Sequence, residues 1–367
     1  MAAALMSTSV AADDSAMKAK LMELQEQVNE LAAQVDETKT ASSANGVKIG
    51  GYGELHYNNL RTTETGQPSS DKKELDFHRF VLFFGHDFSE DVRFFSEFEL
   101  EHSLAGDGKP GEVELEQAYV EIDLNENLYT RSGVQLVPVG ILNETHEPET
   151  FYGVERNNVE KNIIPTTWWS GGVSLHGKNS DGLSYDLMVS EGLYSSDGHS
   201  IRGGRQKTAE AKANNLAYTG RLKYTGTPGL ELAATIRHET DIGQDQLADK
   251  AAATLLETHA VYESGPFGLR ALYAQWDIGG DAAKAADAEK QQGYYIEPSY
   301  KINSNWGVFA RHSEWNKTTL SKNKEKQTDF GVNFWPHKNV VFKADVQSYS
   351  KDDKKTKGFN LGVGYSF

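Results

Sequence analysis

The chain has no cysteine, no apolar run longer than a few residues, and none of the short motifs on which hydrolases, nucleotide enzymes or zinc proteases depend. The first absence removes a disulfide framework, a thiolate metal site and a cysteine nucleophile. The second excludes a transmembrane helix, which needs about twenty mostly apolar residues. The third covers Gly-x-Ser-x-Gly, a Walker loop and His-Glu-x-x-His, so an enzyme is not expected, nor is a cofactor. Positive charge is also short: 37 Lys and Arg stand against 53 Asp and Glu, a net charge of −16 that argues against nucleic acid as a partner. An apolar content of 38% does not exclude a membrane. A spanning strand needs only alternate residues that suit lipid, and closing the sheet satisfies the backbone.

What is present is alternation. In the last nine residues Phe359, Leu361, Val363, Tyr365 and Phe367 share one parity, and Asn360, Gly362, Gly364 and Ser366 the other. One face suits lipid and the other water, as in the closing strand of an outer-membrane barrel; a buried edge strand of a soluble sandwich would alternate in the same way. Residues 1–12 are small and apolar and end Ser9-Val10-Ala11-Ala12, like a residual signal peptide without its basic start. Over 13–41, Met17, Leu21, Leu24, Val28, Leu31 and Val35 fall at alternating spacings of four and three. That seam predicts a short α-helical coiled coil that self-associates, on the periplasmic side if a barrel follows. Residues 42–46 read as a linker and 47–367 as the barrel.

Beyond residue 46 the period becomes two, and sixteen strands are expected near 47–59, 76–87, 92–103, 113–124, 127–138, 167–178, 183–192, 216–225, 229–239, 254–263, 268–278, 293–302, 306–315, 328–336, 340–349 and 358–367. Their connections alternate between long polar ones (60–75, 104–112, 139–166, 193–215, 240–253, 279–292, 316–327, 350–357) and short turns such as Asn179-Ser180-Asp181-Gly182. Turns at one end and loops at the other predict an all-β, sixteen-stranded antiparallel transmembrane barrel in the outer membrane of a Gram-negative bacterium. A barrel this wide cannot be filled by its own wall side chains, so it should hold an aqueous lumen for diffusing solutes.

Candidate lumen residues follow from parity. Arg79, Arg93, Arg131, Arg221, Arg237, Arg270 and Arg311 fall opposite the main apolar positions of their strands, with Arg270 the least clear. Lys223 and Lys343 share the inward parity, as do Asp345 and the glutamates Glu97, Glu99, Glu101, Glu121, Glu231, Glu239, Glu257 and Glu297. Arginines clustered in a lumen draw anions and present planar forks to phosphate or carboxylate; neutralisation by the glutamates is the competing outcome. The longest connection, 139–166, carries Glu144, His146, Glu147, Glu149, Glu155, Arg156 and Lys161 and is expected to fold inward as a constriction, although a loop of that length can equally cover the outside. Glu144, His146 and Glu147 could hold a divalent cation, but such loop residues are usually solvated, and no metal is expected. Lys351, Lys354, Lys355 and Lys357 with Asp352 and Asp353 look like an exposed tip facing lipopolysaccharide.

The chain resembles the phosphate-selective porin O and P family, including relatives with an amino-terminal periplasmic coiled coil. The likeness rests on Gly50-Gly51-Tyr52-Gly53-Glu54-Leu55, Val137-Pro138-Val139-Gly140, Trp306-Gly307-Val308-Phe309-Ala310-Arg311, Gly331-Val332-Asn333-Phe334-Trp335-Pro336 with Asn339-Val340-Val341, and the final aromatic. The resemblance implies a homotrimer passing small anions such as phosphate, oxyanions or dicarboxylates. It also implies that Tyr365 and Phe367 form a signal read by the barrel-assembly machinery. The chain departs from the family in an inward face as rich in glutamate as in arginine. A general or carbohydrate diffusion channel, and a barrel anchor without a channel, are the alternatives.

Overall fold

A computed structural model describes residues 46–319 and 324–367. The expected signal peptide, coiled coil and nearly all of the linker lie outside the described residues. Sixteen strands follow in order: β1 (Lys48–Thr63), β2 (Ser70–Asp87), β3 (Val92–Glu101), β4 (Val113–Asn125), β5 (Leu128–Leu136), β6 (Trp169–Lys178), β7 (Leu183–Glu191), β8 (Leu216–Thr227), β9 (Leu230–Glu239), β10 (Ala253–Ser264), β11 (Phe267–Ile278), β12 (Lys290–Lys301), β13 (Trp306–Asn316), β14 (Glu325–His337), β15 (Val340–Lys351) and β16 (Lys354–Ser366). Each pairs with its neighbours in sequence, and β16 closes onto β1. No edge strand is left unpaired, so every strand can satisfy its backbone within the sheet.

Alternation decides which face each side chain takes. In β8, Leu216, Tyr218 and Leu222 are exposed, whereas Ala217, Thr219 and Arg221 are buried. In β12, Tyr294, Ile296 and Tyr300 face out and Gln291, Tyr295 and Glu297 face in. Exposed Leu, Ile, Val, Phe and Tyr recur around the barrel, forming the apolar outer surface that lipid requires. Short turns use left-handed glycines where a side chain has no room. Gly182 has φ 80°, and a Cβ there would lie 2.3 Å from the Gly226 nitrogen.

β16 pairs with Tyr52–Thr63 of β1, because tilted strands close with a stagger. One expectation needs correction. The connection 350–357 is not a loop: β15 and β16 run on through Lys351 and Lys354 and leave a two-residue turn at Asp352 and Asp353. Charged residues there read as a loop, although strand ends that project beyond lipid carry charge freely.

Inside the wall lies an apolar core that joins the connections to one part of the barrel. Val139, Ile141, Leu142, Phe151, Ile163, Ile164 and Trp168 pack with Leu193, Ile201 and Ile242 and with the wall residues Met188, Leu255, Leu272, Trp276 and Tyr295. The lumen is therefore partly filled, and the polar space is displaced to the rest of the interior.

Candidate functional site

Residues 137–168, between β5 and β6, touch inner-face side chains on strands all around the wall. The Val154 amide donates to Asp345 (2.7 Å) and Lys343 donates to the Gly153 carbonyl (2.9 Å), both on β15. Glu155 meets His56 and Asn58 on β1, and Asn158 meets Gln327 on β14. Glu144 pairs with Arg221 on β8, Tyr295 on β12 donates to Glu160 (2.8 Å), and Trp276 on β11 donates to the Ile163 carbonyl (2.8 Å). The inner face makes room for this segment: a Cβ on Gly364 would stand 2.3 Å from Pro148, and one on Gly362 3.1 Å from Val154.

Local sequence fixes its shape. Asn143 bonds the carbonyls of Val137 and Trp168 and accepts from the Trp168 amide, tying the two ends together. Asn157 caps the helix Asn158–Asn162 by accepting from the Glu160 amide. The buried Glu160 carboxylate accepts from the amides of Ile141 (3.0 Å) and Leu142 (2.6 Å). Near the turn, His146 Nε2 lies 3.4 Å from Glu97 and 3.5 Å from Glu116. Glu116 reaches inward because it is the extra residue at an irregularity in the β3–β4 register, where Gln117 faces Glu97 and Leu115 faces Phe98. Burial alone would lower the His146 imidazole, but the Glu116 and Glu97 carboxylates outweigh it and raise it to about 10.

All seven strand arginines lie on the inner face, Arg270 included, but six of them hold carboxylates. Arg79 meets Glu54 (2.7 Å) and Glu99 (3.5 Å). Arg93 and Arg131 share Glu121, each at 2.7 Å, and Arg93 also contacts Asp123. Arg221 holds Asp186 (2.7 Å) and Glu144. Arg237 is wholly buried between Glu239 (2.7 Å) and the Trp168 ring. Arg311, 3% exposed, bonds Asp329 (3.0 Å) and Glu297 (3.3 Å). Lys223 stands 3.8 Å from Glu231, and Lys343 is buried over the Phe151 ring. Arg270 instead donates to the Thr150 carbonyl. Arg237, Arg311 and Lys343 are buried on the inner face, covered by the 137–168 segment and neighbouring wall residues.

Three cavities border the segment. The first, about 550 Å³ on the long-connection side, is lined by Val154, Glu155, Arg156 and Lys161. The others, about 480 and 600 Å³, lie toward the short turns and share Arg270. Gly140, Ile141 and Glu144 reach the second, and Glu149 to Tyr152 the third. Glu147 does not line any of these three. Two arginines that strand parity could not reveal enter the first cavity from the β7–β8 connection. Arg202 donates to the carbonyls of Lys161 (2.6 Å) and Thr166 (2.9 Å), and Arg205 to those of Pro165 (3.1 Å) and Thr167. Arg156 donates to the Thr167 hydroxyl (2.6 Å) and the His146 carbonyl. Among the described residues none of these three has a carboxylate at ion-pair distance. Burial, then the charges of Arg205 and Arg156, lower the Arg202 guanidinium to about 10, so it stays charged at neutral pH.

The same cavity carries residues overlooked in the sequence. His56, His78 and His102 stand in a row, with ring centroids 4.6 and 5.5 Å apart. Their spacing of 22 and 24 residues matches successive strands, a signal legible only once the barrel register is known.

A sequence profile of the Gram-negative porins matches residues 2–366. An uncharacterised protein of Aquifex aeolicus (strain VF5) is 30% identical over 88% of this chain and 80% of its own length. Among solved structures, the anion-selective porin from Comamonas acidovorans superposes with a TM-score of 0.63 at 14% identity, covering 88% of this chain and 100% of that one. OmpT of Vibrio cholerae in its trimer form gives 0.56 at 10% identity, covering 89% of this chain and 100% of its own. At these identities the structural likeness speaks for the fold.

Proposed function

Because the chain belongs to the Gram-negative porin family and closes as a sixteen-stranded barrel, we propose that this outer-membrane diffusion channel favours small anions, with 139–166 as its constriction. Phosphate, related oxyanions and dicarboxylates are the solutes that planar guanidinium forks suit. The observation that carries the preference is the group Arg156, Arg202 and Arg205 beside the first cavity, whose hydrogen bonds go to carbonyls and a hydroxyl and to no carboxylate. Arg270 plays the same part between the other two cavities, held by the Thr150 carbonyl.

Single-channel recording in planar bilayers tests this. Discrete conductance steps and a reversal potential displaced toward the chloride limit in a KCl gradient are expected. A cation-selective reversal potential removes the anion preference, and no steps at all would leave a barrel anchor. One observation favours a second reading, a general diffusion channel: Glu101, Glu112 and Glu114 line the same cavity as the arginines.

The assembly proposed is a homotrimer, a state reported for OmpT, aided by a periplasmic coiled coil over 13–41. Tyr365 and Phe367 are the proposed signal for the barrel-assembly machinery. Phe367 suits that role: its backbone exchanges bonds with Gly51, while its ring is exposed on the outer surface against Phe80. Deleting Phe367 should cut the yield of assembled protein more than the conductance of the channels that form.

A further inference from the structure

We propose that Asp76, His78 and His102 form a binding site for a divalent transition-metal ion of the zinc class at the long-connection side of the first cavity. Asp76 Oδ2 lies 3.1 Å from His78 Nδ1 and 2.8 Å from His102 Nδ1. All three candidate ligand atoms fall within 4.8 Å of one another. A tetrahedral zinc centre with bonds of about 2.0 Å sets its ligand atoms about 3.3 Å apart, so the two carboxylate–imidazole edges need to open by only a few tenths of an ångström. Two imidazoles and one carboxylate suit zinc, nickel or copper(II), whereas calcium and magnesium prefer oxygen ligands alone.

The site is both reachable and held. The side chains of Asp76, His78 and His102 are 17%, 24% and 32% exposed, and all three line the cavity. His78 stacks on His56, which is itself fixed by Glu54 (3.1 Å) and by Glu155 (3.2 Å) of the 137–168 segment. His102 and Ser103 have φ of 52° and 58°, two successive non-glycine residues in the left-handed region that return the His102 ring over Asp76 at the end of β3. A bound ion would add positive charge to the cavity that Arg156, Arg202 and Arg205 also line.

The test uses tag-free, full-length protein stripped with EDTA and titrated with zinc chloride by calorimetry. One equivalent per chain is expected. His102→Gln keeps a donor for Asp76 but removes an imidazole, and Asp76→Asn removes the anionic ligand; each should weaken binding by about tenfold or more while the barrel remains heat-modifiable on gels. In bilayers, zinc added on the long-connection side should move the reversal potential toward anions in the native protein and not in His102→Gln. No saturable uptake of zinc, nickel or copper(II), or uptake unchanged in both variants, would overturn the assignment. The metal-free reversal potential separately reads the ion preference proposed above, so either reading can fail alone.

Discussion

Arg311 and Arg202 carry the same group into the same barrel, one from the wall and one from a connection, and they do different work. Arg311 is buried between Asp329 and Glu297, whose two carboxylates face its single charge. Arg202 holds only backbone carbonyls, whose dipoles orient a guanidinium without neutralising it. A charge facing the lumen is therefore not by itself a charge offered to solutes. Six of the wall arginines hold carboxylates, whereas Arg156, Arg202 and Arg205 bond neutral partners beside the first cavity.

The largest effect that would sharpen this contrast is on stability. Arg311→Ala leaves two buried carboxylates facing each other, and breaking such a pair costs about 3–5 kcal/mol. The thermal or urea midpoint of the folded barrel, followed by its gel mobility, should fall accordingly. Arg202→Ala exposes carbonyls that water can reach and should cost about 1 kcal/mol. Equal midpoints for the two variants would erase the distinction between wall and connection.

Selectivity should respond in the opposite order. Replacing Arg202 and Arg205 together by alanine is expected to lower the anion-to-cation permeability ratio by about twofold to fivefold, the size of effect that partly exposed charges have. The barrel should remain folded. Arg237→Lys, which keeps a charge beside Glu239 beneath Trp168, should leave the ratio where it was.

A smaller change is expected from crowding the segment itself. Gly364→Val places its first carbon against Pro148, so the 148–154 stretch must shift and single-channel conductance should change. Gly220 lies on the outer face with its nearest neighbour at 3.7 Å, and Gly220→Ala should change nothing. Unaltered conductance in Gly364→Val would argue that this stretch does not border the path.

The contrast also explains what could be read from sequence. Strands are legible because alternation is a local signal, and the inner face of Arg221 follows from Leu216, Tyr218, Leu222 and Tyr224 on the opposite parity. Their partners are not, since Arg311 finds Glu297 and Asp329 through register across three strands. Arg202 and Arg205 sit in a connection with no period to give a face. His56, His78 and His102 lie far apart in the chain and meet only because β1, β2 and β3 are neighbours in the sheet. The charge of Lys351 and Lys354 suggests a loop in sequence, but a strand that outruns the lipid carries it equally well.

The smallest effect concerns the tether between the two regions, His146 against Glu97 and Glu116. With its imidazole raised to about 10 from an ordinary value near 6.5, His146 contributes stability that is fully present below the unfolded value and is lost as pH rises through about 10. His146 belongs to the segment, so loosening is expected there. Open-channel noise recorded from pH 8 to 10.5 should grow while the barrel's midpoint stays level, and His146→Gln should be noisy at both ends of the range. A flat profile in the native protein would mean that His146 is held as a neutral imidazole, and that the segment depends on Glu160, Asn143 and its apolar packing instead.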